Sequence, residues 1–94
     1  MSPVARLDDL QIQQALNSLQ GWELREGKIS RLYRFKEFME SIEFANRVAK
    51  LAETHDHHHD ILIRYNKVQL TLVTHSAGGL TEKDFQLARE IDTP

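Results

Sequence analysis

The sequence predicts an α+β protein with a four-stranded antiparallel sheet and three helices packed on one face. Two pairs of short β-type runs each flank a turn, and amphipathic segments stand before, between and after these pairs. Because a hairpin joins its strands antiparallel, this order predicts a sheet whose apolar side the helices cover. No repeat or linker interrupts the 94 residues, so we expect one domain spanning 1–94.

The N-terminal third predicts a helix followed by a hairpin. The helix is expected over 7–19, where an imperfect helical stripe is formed by Leu7, Ile12, Ala15, Leu16 and Leu19. Gly21 is expected to stop the helix after its last turn. Two runs then flank Glu26-Gly27, which predicts the first hairpin.

Two further helices are indicated by apolar spacing and by a cap. The segment 36–55 lacks Gly and Pro, and its apolar stripe is predicted at Phe38, Ile42, Ala45, Ala49 and Ala52. The last helix begins at Thr81, which with Asp84 forms a variant capping box. Leu80 and Phe85 flank this cap as a hydrophobic staple, and Ala88 and Ile91 extend the same face.

The runs "DILIRY" and "VQLTLVTH" predict the second hairpin, with Asn66-Lys67 as a two-residue turn. Paired residues then have numbers that add up to 133, which sets Tyr65 opposite Val68 on an apolar face. The same register, extended to the open end, sets His58 opposite His75. Residues distant in sequence are therefore expected to converge at this end of the hairpin.

The composition excludes several classes of protein. A net charge of −2 provides no basic footprint for nucleic acid, and the absence of cysteine removes disulfides, thiolate metal sites and a cysteine nucleophile. The N-terminus lacks the apolar core of a signal peptide, and no run approaches membrane-spanning length. We expect a cytoplasmic protein without a nucleic-acid or membrane partner.

All five histidines lie between His55 and His75, which predicts a site at the open end of the hairpin. Imidazoles could bind zinc, copper or nickel, with carboxylates from Asp56 and Asp60. Consecutive histidines cannot all face one ion, however, and imidazole is equally suited to general acid–base catalysis near neutral pH. The residues alone leave three interpretations open: a metal site, an acid–base site and a polar loop without a chemical role.

The segments "ETHDHH", "YNKV", "TH" and "GLTEKD" occur with the spacing of a known signature. In these segments the chain resembles the pterin-4a-carbinolamine dehydratase family, and "GW" and "FANRVAKLAE" are similar as well. The resemblance covers nearly the whole chain and implies the fold predicted above. His59 departs from it, because the family usually has proline there.

The resemblance implies dehydration of 4a-hydroxytetrahydropterin to quinonoid dihydropterin, which recycles the pterin of aromatic amino-acid hydroxylases. It implies His57, His58 and His75 as the catalytic set, without a cofactor or metal. The supporting or substrate-binding positions that it implies are Glu53, Asp56, Thr74, Ser76 and Asp84. His55 and His59 have no role in it and are expected to be surface residues.

The resemblance also implies a homodimer or homotetramer. The alternative function is a pterin-binding or assembly module of the same fold, related to molybdopterin or acting as a dimerisation cofactor.

Overall fold

The structure, a computed structural model, describes residues 5–57 and 60–93. Its elements are α1 (Asp9–Asn17), β1 (Glu23–Arg25), β2 (Lys28–Arg34), α2 (Phe38–Thr54), β3 (Asp60–Arg64), β4 (Lys67–Leu72), a short 3₁₀ helix (His75–Ala77) and α3 (Glu82–Asp92). The strands form one antiparallel sheet in the order β1-β2-β4-β3. The predicted fold class, with its three helices and four strands, is therefore confirmed.

Each helix contributes to the same apolar core on one face of the sheet. Ile12 of α1, Val48 of α2 and Phe85 of α3 pack in one cluster with Ile29 and Leu70 of the two central strands. The other face of the sheet carries Leu32 and Leu62, which are about half exposed at 45% and 51%. Among the described residues, no helix has both the length and the apolar character needed to cross a membrane.

Local signals place the helix starts close to where they were expected. Thr81 and Asp84 form the predicted capping box at the start of α3, and the staple residues Leu80 and Phe85 are buried. Helix α1 starts with a capping box that the sequence analysis missed, between Asp8 and Gln11. Reciprocal capping satisfies N–H groups that have no partner within the helix, which sets where each helix begins.

The predicted stripe of α2 is partly wrong. The buried residues of this helix are Ser41, Ala45, Val48 and Ala52. Phe38, which was predicted to lie in the stripe, is 47% exposed, and Ala49 is exposed as well. Apolar residues occur on both sides of the true stripe, and the sheet selects the face that carries small residues.

The predicted register of the second hairpin is also wrong. Ile61 pairs with Leu70 and Ile63 with Val68, so the paired numbers add up to 131 rather than 133. The two-residue turn is Tyr65-Asn66, with Tyr65 at a φ of 54° and exposed instead of in the core. The predicted and observed registers differ by two residues, so all residues that remain in the strands keep their predicted faces.

The turn is stabilised by Phe35, the residue that follows β2. The side-chain amide of Asn66 donates to the carbonyl oxygen of Phe35 over 3.1 Å, and the Phe35 N–H donates to the Asn66 carbonyl over 2.7 Å. These two bonds hold Asn66 at the second turn position. They explain why Asn, although it tolerates a positive φ, does not occupy the first one.

Candidate functional site

The C-terminal end of α2 turns His57 into the interior. The N–H of Asp56 donates to the Glu53 carbonyl over 3.1 Å, and the N–H of His57 donates to the Ala52 carbonyl over 2.9 Å. These are the two bonds of a Schellman motif, which requires a left-handed residue at its centre. Asp56 is that residue, with a φ of 50°, a conformation that Asp and Asn tolerate better than most residues. His57, the next residue, is consequently only 7% exposed.

The buried imidazole of His57 binds a buried carboxylate. Its Nε2 lies 2.6 Å from Oδ1 of Asp84, a residue that is fully buried. Because an ionised carboxylate only accepts hydrogen bonds, Nε2–H is the donor in this pair. The second ring nitrogen, Nδ1, is then the atom that can exchange a proton with another group. A carboxylate that holds one imidazole nitrogen in this way fixes both the tautomer and the ring orientation.

The other oxygen of Asp84 is held by the cap of α3 and by the end of β4. Oδ2 accepts from the Thr81 N–H over 2.9 Å and from the Thr74 hydroxyl over 2.8 Å. The hydroxyls of Thr74 and Thr81 lie 2.8 Å apart. Since the proton of the Thr74 hydroxyl goes to Asp84, Thr81 donates to Thr74. Each buried polar atom of this network thus has a partner, as a low-dielectric site requires.

His75 follows directly on this network. Thr74 pairs with Gly79 through two backbone bonds of 3.1 and 3.3 Å, which close the tight loop that contains the 3₁₀ helix. Gly78 closes that helix with a φ of 71°, where a β-carbon would be strained. His75 is exposed, next to the buried hydroxyl of Thr74. Hydrogen bonds therefore connect the buried imidazole of His57 through Asp84 to Thr74, the residue that precedes the exposed His75 in the chain.

The predicted site residues fall into two groups. Asp84, Thr74 and His57 make up the buried network, whereas the exposed residues are Glu53, Asp56, His75 and Ser76. Glu53 and Asp56 both contribute backbone groups to the turn that orients His57. His58 and His59 lie outside the described residues, so the arrangement of His58 next to His75 stays a prediction.

Sequence analysis missed a close contact between His55 and Glu90. Nε2 of His55 lies 2.5 Å from Oε2 of Glu90, and the two side chains are 25% and 42% exposed. The expectation of a plain surface residue at position 55 was therefore wrong. No pattern signal could have found this contact, because it joins the C-cap of α2 to α3 across 35 positions of sequence.

Residues 5–57 and 60–93 contain no cluster of three or more His, Asp or Glu side chains that could bind a metal ion. These ranges do not include His58 and His59, two of the five histidines. Catalysis without a metal stays a prediction.

A family model described as pterin 4 alpha carbinolamine dehydratase matches residues 5–93 of the chain. A protein of Thermomicrobium roseum assigned as a pterin-4-alpha-carbinolamine dehydratase is 52% identical, over 94% of this chain and 95% of its own length. A protein of Sulfolobus acidocaldarius with the same assignment is 42% identical, over 93% and 96% of the two chains.

Two solved structures share the fold. A crystal structure described as a transcriptional coactivator/pterin dehydratase from Brucella melitensis superposes with a TM-score of 0.89 at 37% identity, covering 93% of this chain and 95% of that one. A pterin dehydratase-like protein described as a RuBisCO assembly factor in the alpha-carboxysome superposes with a TM-score of 0.61. It is 19% identical and covers 76% and 82% of the two chains, so that likeness shows the fold alone.

Proposed function

Because the chain belongs to the pterin 4 alpha carbinolamine dehydratase family, we propose that it dehydrates 4a-hydroxytetrahydropterin by histidine acid–base catalysis. The observation that carries this proposal is the buried pair of His57 and Asp84, whose carboxylate also holds Thr74 beside His75. The pair leaves Nδ1 of His57 as the nitrogen available for proton transfer. The bridge between Thr74 and Gly79 closes the loop that begins with His75.

The reaction needs two proton transfers. The C4a–O bond breaks and its oxygen leaves as water, so an imidazolium must protonate it as it departs. The N5 lone pair forms the C4a=N5 double bond, and a neutral imidazole removes the N5 proton. The product is quinonoid dihydropterin, and no redox partner or metal enters the balance. His57, His58 and His75 are the proposed acid, base and binding set.

The decisive assay is stopped-flow dehydration of chemically generated 4a-carbinolamine, measured above its uncatalysed rate. His57→Ala and His75→Ala should each lower turnover by about 10²–10⁴-fold where that imidazole carries its step alone. His55→Gln is the control, because this imidazole lies outside the matched motif and is partly exposed, and it should retain most of the turnover. Full activity of both histidine variants would overturn the assignment of these residues, and absence of turnover in the unaltered protein would overturn the reaction.

The finer parts of this proposal concern substrate, location and assembly. We propose tetrahydrobiopterin-type substrates, recycling for aromatic amino-acid hydroxylases, a cytoplasmic location, and a homodimer or homotetramer. Comparing turnover of carbinolamines with different side chains tests the first of these. Light scattering after gel filtration tests the last.

An assembly role is the second candidate, favoured by the 37% identical protein of Brucella melitensis that is described as a transcriptional coactivator as well as a pterin dehydratase. A pure assembly module would not need its imidazoles. If the chain is such a module, the unaltered protein should show no dehydration above the uncatalysed rate. His57→Gln should then leave both this rate and partner binding unchanged. Turnover in the unaltered protein that His57→Gln removes would decide for the enzyme.

A further inference from the structure

A cavity among the described residues lies at the C-terminal end of α3, away from the network of His57 and Asp84. Its volume is about 660 Å³, within the ordinary range of small-molecule sites. It is bordered by Asp92, whereas Asp84 of the histidine network lies eight residues earlier in α3, about 12 Å away along the helix axis. The two regions are therefore separate places in the molecule.

The cavity carries an excess of positive charge. Arg31, Arg47 and Arg89 line it together with one carboxylate, that of Asp92. Tyr33 also lines it and donates its hydroxyl to Oδ1 of Asp92 over 2.5 Å. Burial, reinforced by this hydrogen bond, raises the pKa of the Tyr33 phenol, so the ring adds no negative charge.

Asp92 has little capacity left to neutralise a second guanidinium. Its Oδ2 already accepts from Trp22 Nε1 over 2.8 Å and from Arg31 Nη1 over 3.0 Å. Arg47 donates through Nη2 to the Ile91 carbonyl over 2.6 Å, which leaves most of its five N–H groups unused. Within 5–57 and 60–93, the one acidic partner of Arg89 is Glu82, at 3.9 Å between largely exposed groups. Donors for an anion therefore remain on at least two guanidiniums.

One wall of the cavity is aromatic. The rings of Tyr33 and Phe44 lie 4.5 Å apart between centroids. The guanidinium of Arg47 lies 5.5 Å from the centre of the Phe44 ring, and that of Arg31 lies 4.6 Å from that of Tyr33. Flat surfaces of this kind accept a planar unsaturated body, while guanidinium binds carboxylate or phosphate through paired N–H groups.

We propose that this cavity is a second ligand site, which takes a small planar molecule bearing a carboxylate or phosphate group. The anionic group binds Arg47 and Arg89, and the planar body packs on Tyr33 and Phe44. The site is separate from the proposed dehydration and does not depend on it. Arg31 contributes charge but remains bound to Asp92 and to the Gln20 carbonyl, at 2.7 Å from the latter.

The chain offers a built-in reporter for this site. Trp22 is its one tryptophan, and its ring lies 6.4 Å from that of Tyr33, with Nε1 bound to Asp92. Titration with benzoate and with phenyl phosphate should change its fluorescence in a saturable way, and benzamide, which is neutral, should bind at least tenfold more weakly. A common response to both anions supports the shared chemistry, and a response to one of them identifies the group that the site prefers.

Variants separate the site from general charge effects. Arg89→Gln should weaken binding of the preferred anion about tenfold or more, since it removes a charge-assisted hydrogen bond. Arg25→Gln is the matched control, because Arg25 pairs with Glu23 at an exposed position away from the cavity, and it should leave affinity unchanged. Arg47→Lys keeps the charge but not the paired donors and should also weaken binding.

Three results would overturn the proposal. One is equal affinity for benzamide and the anions, and another is equal loss in Arg89→Gln and Arg25→Gln. The third is an amide chemical-shift map in which benzoate perturbs Thr74 and His75 instead of Arg47 and Ile91. Thermal unfolding of each variant confirms that the folded protein is being compared.

Discussion

Replacing Asp84 by Asn is the sharpest test of how the histidine network is held. The substitution keeps the shape of the side chain but exchanges one acceptor oxygen for an NH₂ donor. Oδ2 must remain an oxygen, because it accepts from both the Thr81 N–H and the Thr74 hydroxyl, at 2.9 and 2.8 Å. The NH₂ group then replaces Oδ1 and faces Nε2 of His57 at 2.6 Å.

Two donors cannot share that contact, so we expect His57 to change tautomer in Asp84→Asn. Its proton moves to Nδ1, and Nε2 becomes an acceptor. The lost charge-assisted hydrogen bond should lower the free energy of unfolding by about 1.5–3 kcal/mol, because His57 and Asp84 are both buried. Turnover should fall by about 10²-fold or more, since Nδ1 is no longer free to accept a proton.

Nitrogen chemical shifts of the imidazole, recorded at about pH 8 where histidine is ordinarily neutral, report the tautomer directly. Urea unfolding gives the stability change, and Asp9→Asn on the exposed surface of α1 is the control. An Asp84→Asn protein in which His57 keeps its proton on Nε2, with stability and turnover unchanged, would refute the reasoning.

Three further expectations concern Asp56 in the turn after α2, the phenol of Tyr33, and His55. Asp56→Gly should keep the unfolding free energy within a few tenths of a kcal/mol, whereas Asp56→Ala should lose about 1 kcal/mol in urea unfolding because its φ is 50°. Burial raises the pKa of Tyr33, so the unfolded chain loses this proton first and stability should fall as pH rises above about 10. Unfolding curves of Tyr33→Phe should lack that part of the fall, and those of Tyr65→Phe should retain it. His55→Gln should cost less than about 1 kcal/mol and leave turnover within about twofold, since the contact of His55 with Glu90 is partly exposed.

The register error shows what strand alternation can decide. In the observed register the numbers of paired residues add up to 131, and in the predicted register they add up to 133. Both registers place the same four apolar residues on one face, because a shift of two residues restores the side-chain direction; these residues are Ile61, Ile63, Val68 and Leu70. The apolar pattern therefore predicted the buried face and could not choose between the two registers. The choice depends on Asn66, whose bonds to Phe35 of a different hairpin hold it in the turn.

The site was predicted in part for a similar reason. Motif spacing identified His57, Thr74 and Asp84, and a capping box is a local signal that could be read directly at Thr81. That Asp84 uses its second oxygen for Thr74, and its first for His57, is a contact between three elements. Neither periodicity nor spacing contains that information.

The sequence by itself determined the element order, the starts of the helices and the family, because caps, periodicity and motif spacing act between residues that are near in the chain. Only the tertiary structure decided which face of α2 is buried, which hairpin register forms and how the imidazole of His57 is oriented. Each of these depends on residues brought together from distant parts of the chain, where burial leaves a carboxylate such as Asp84 no alternative to protein partners. The cavity beside Asp92 was likewise decided only by the tertiary structure, since its arginines come from β2, α2 and α3.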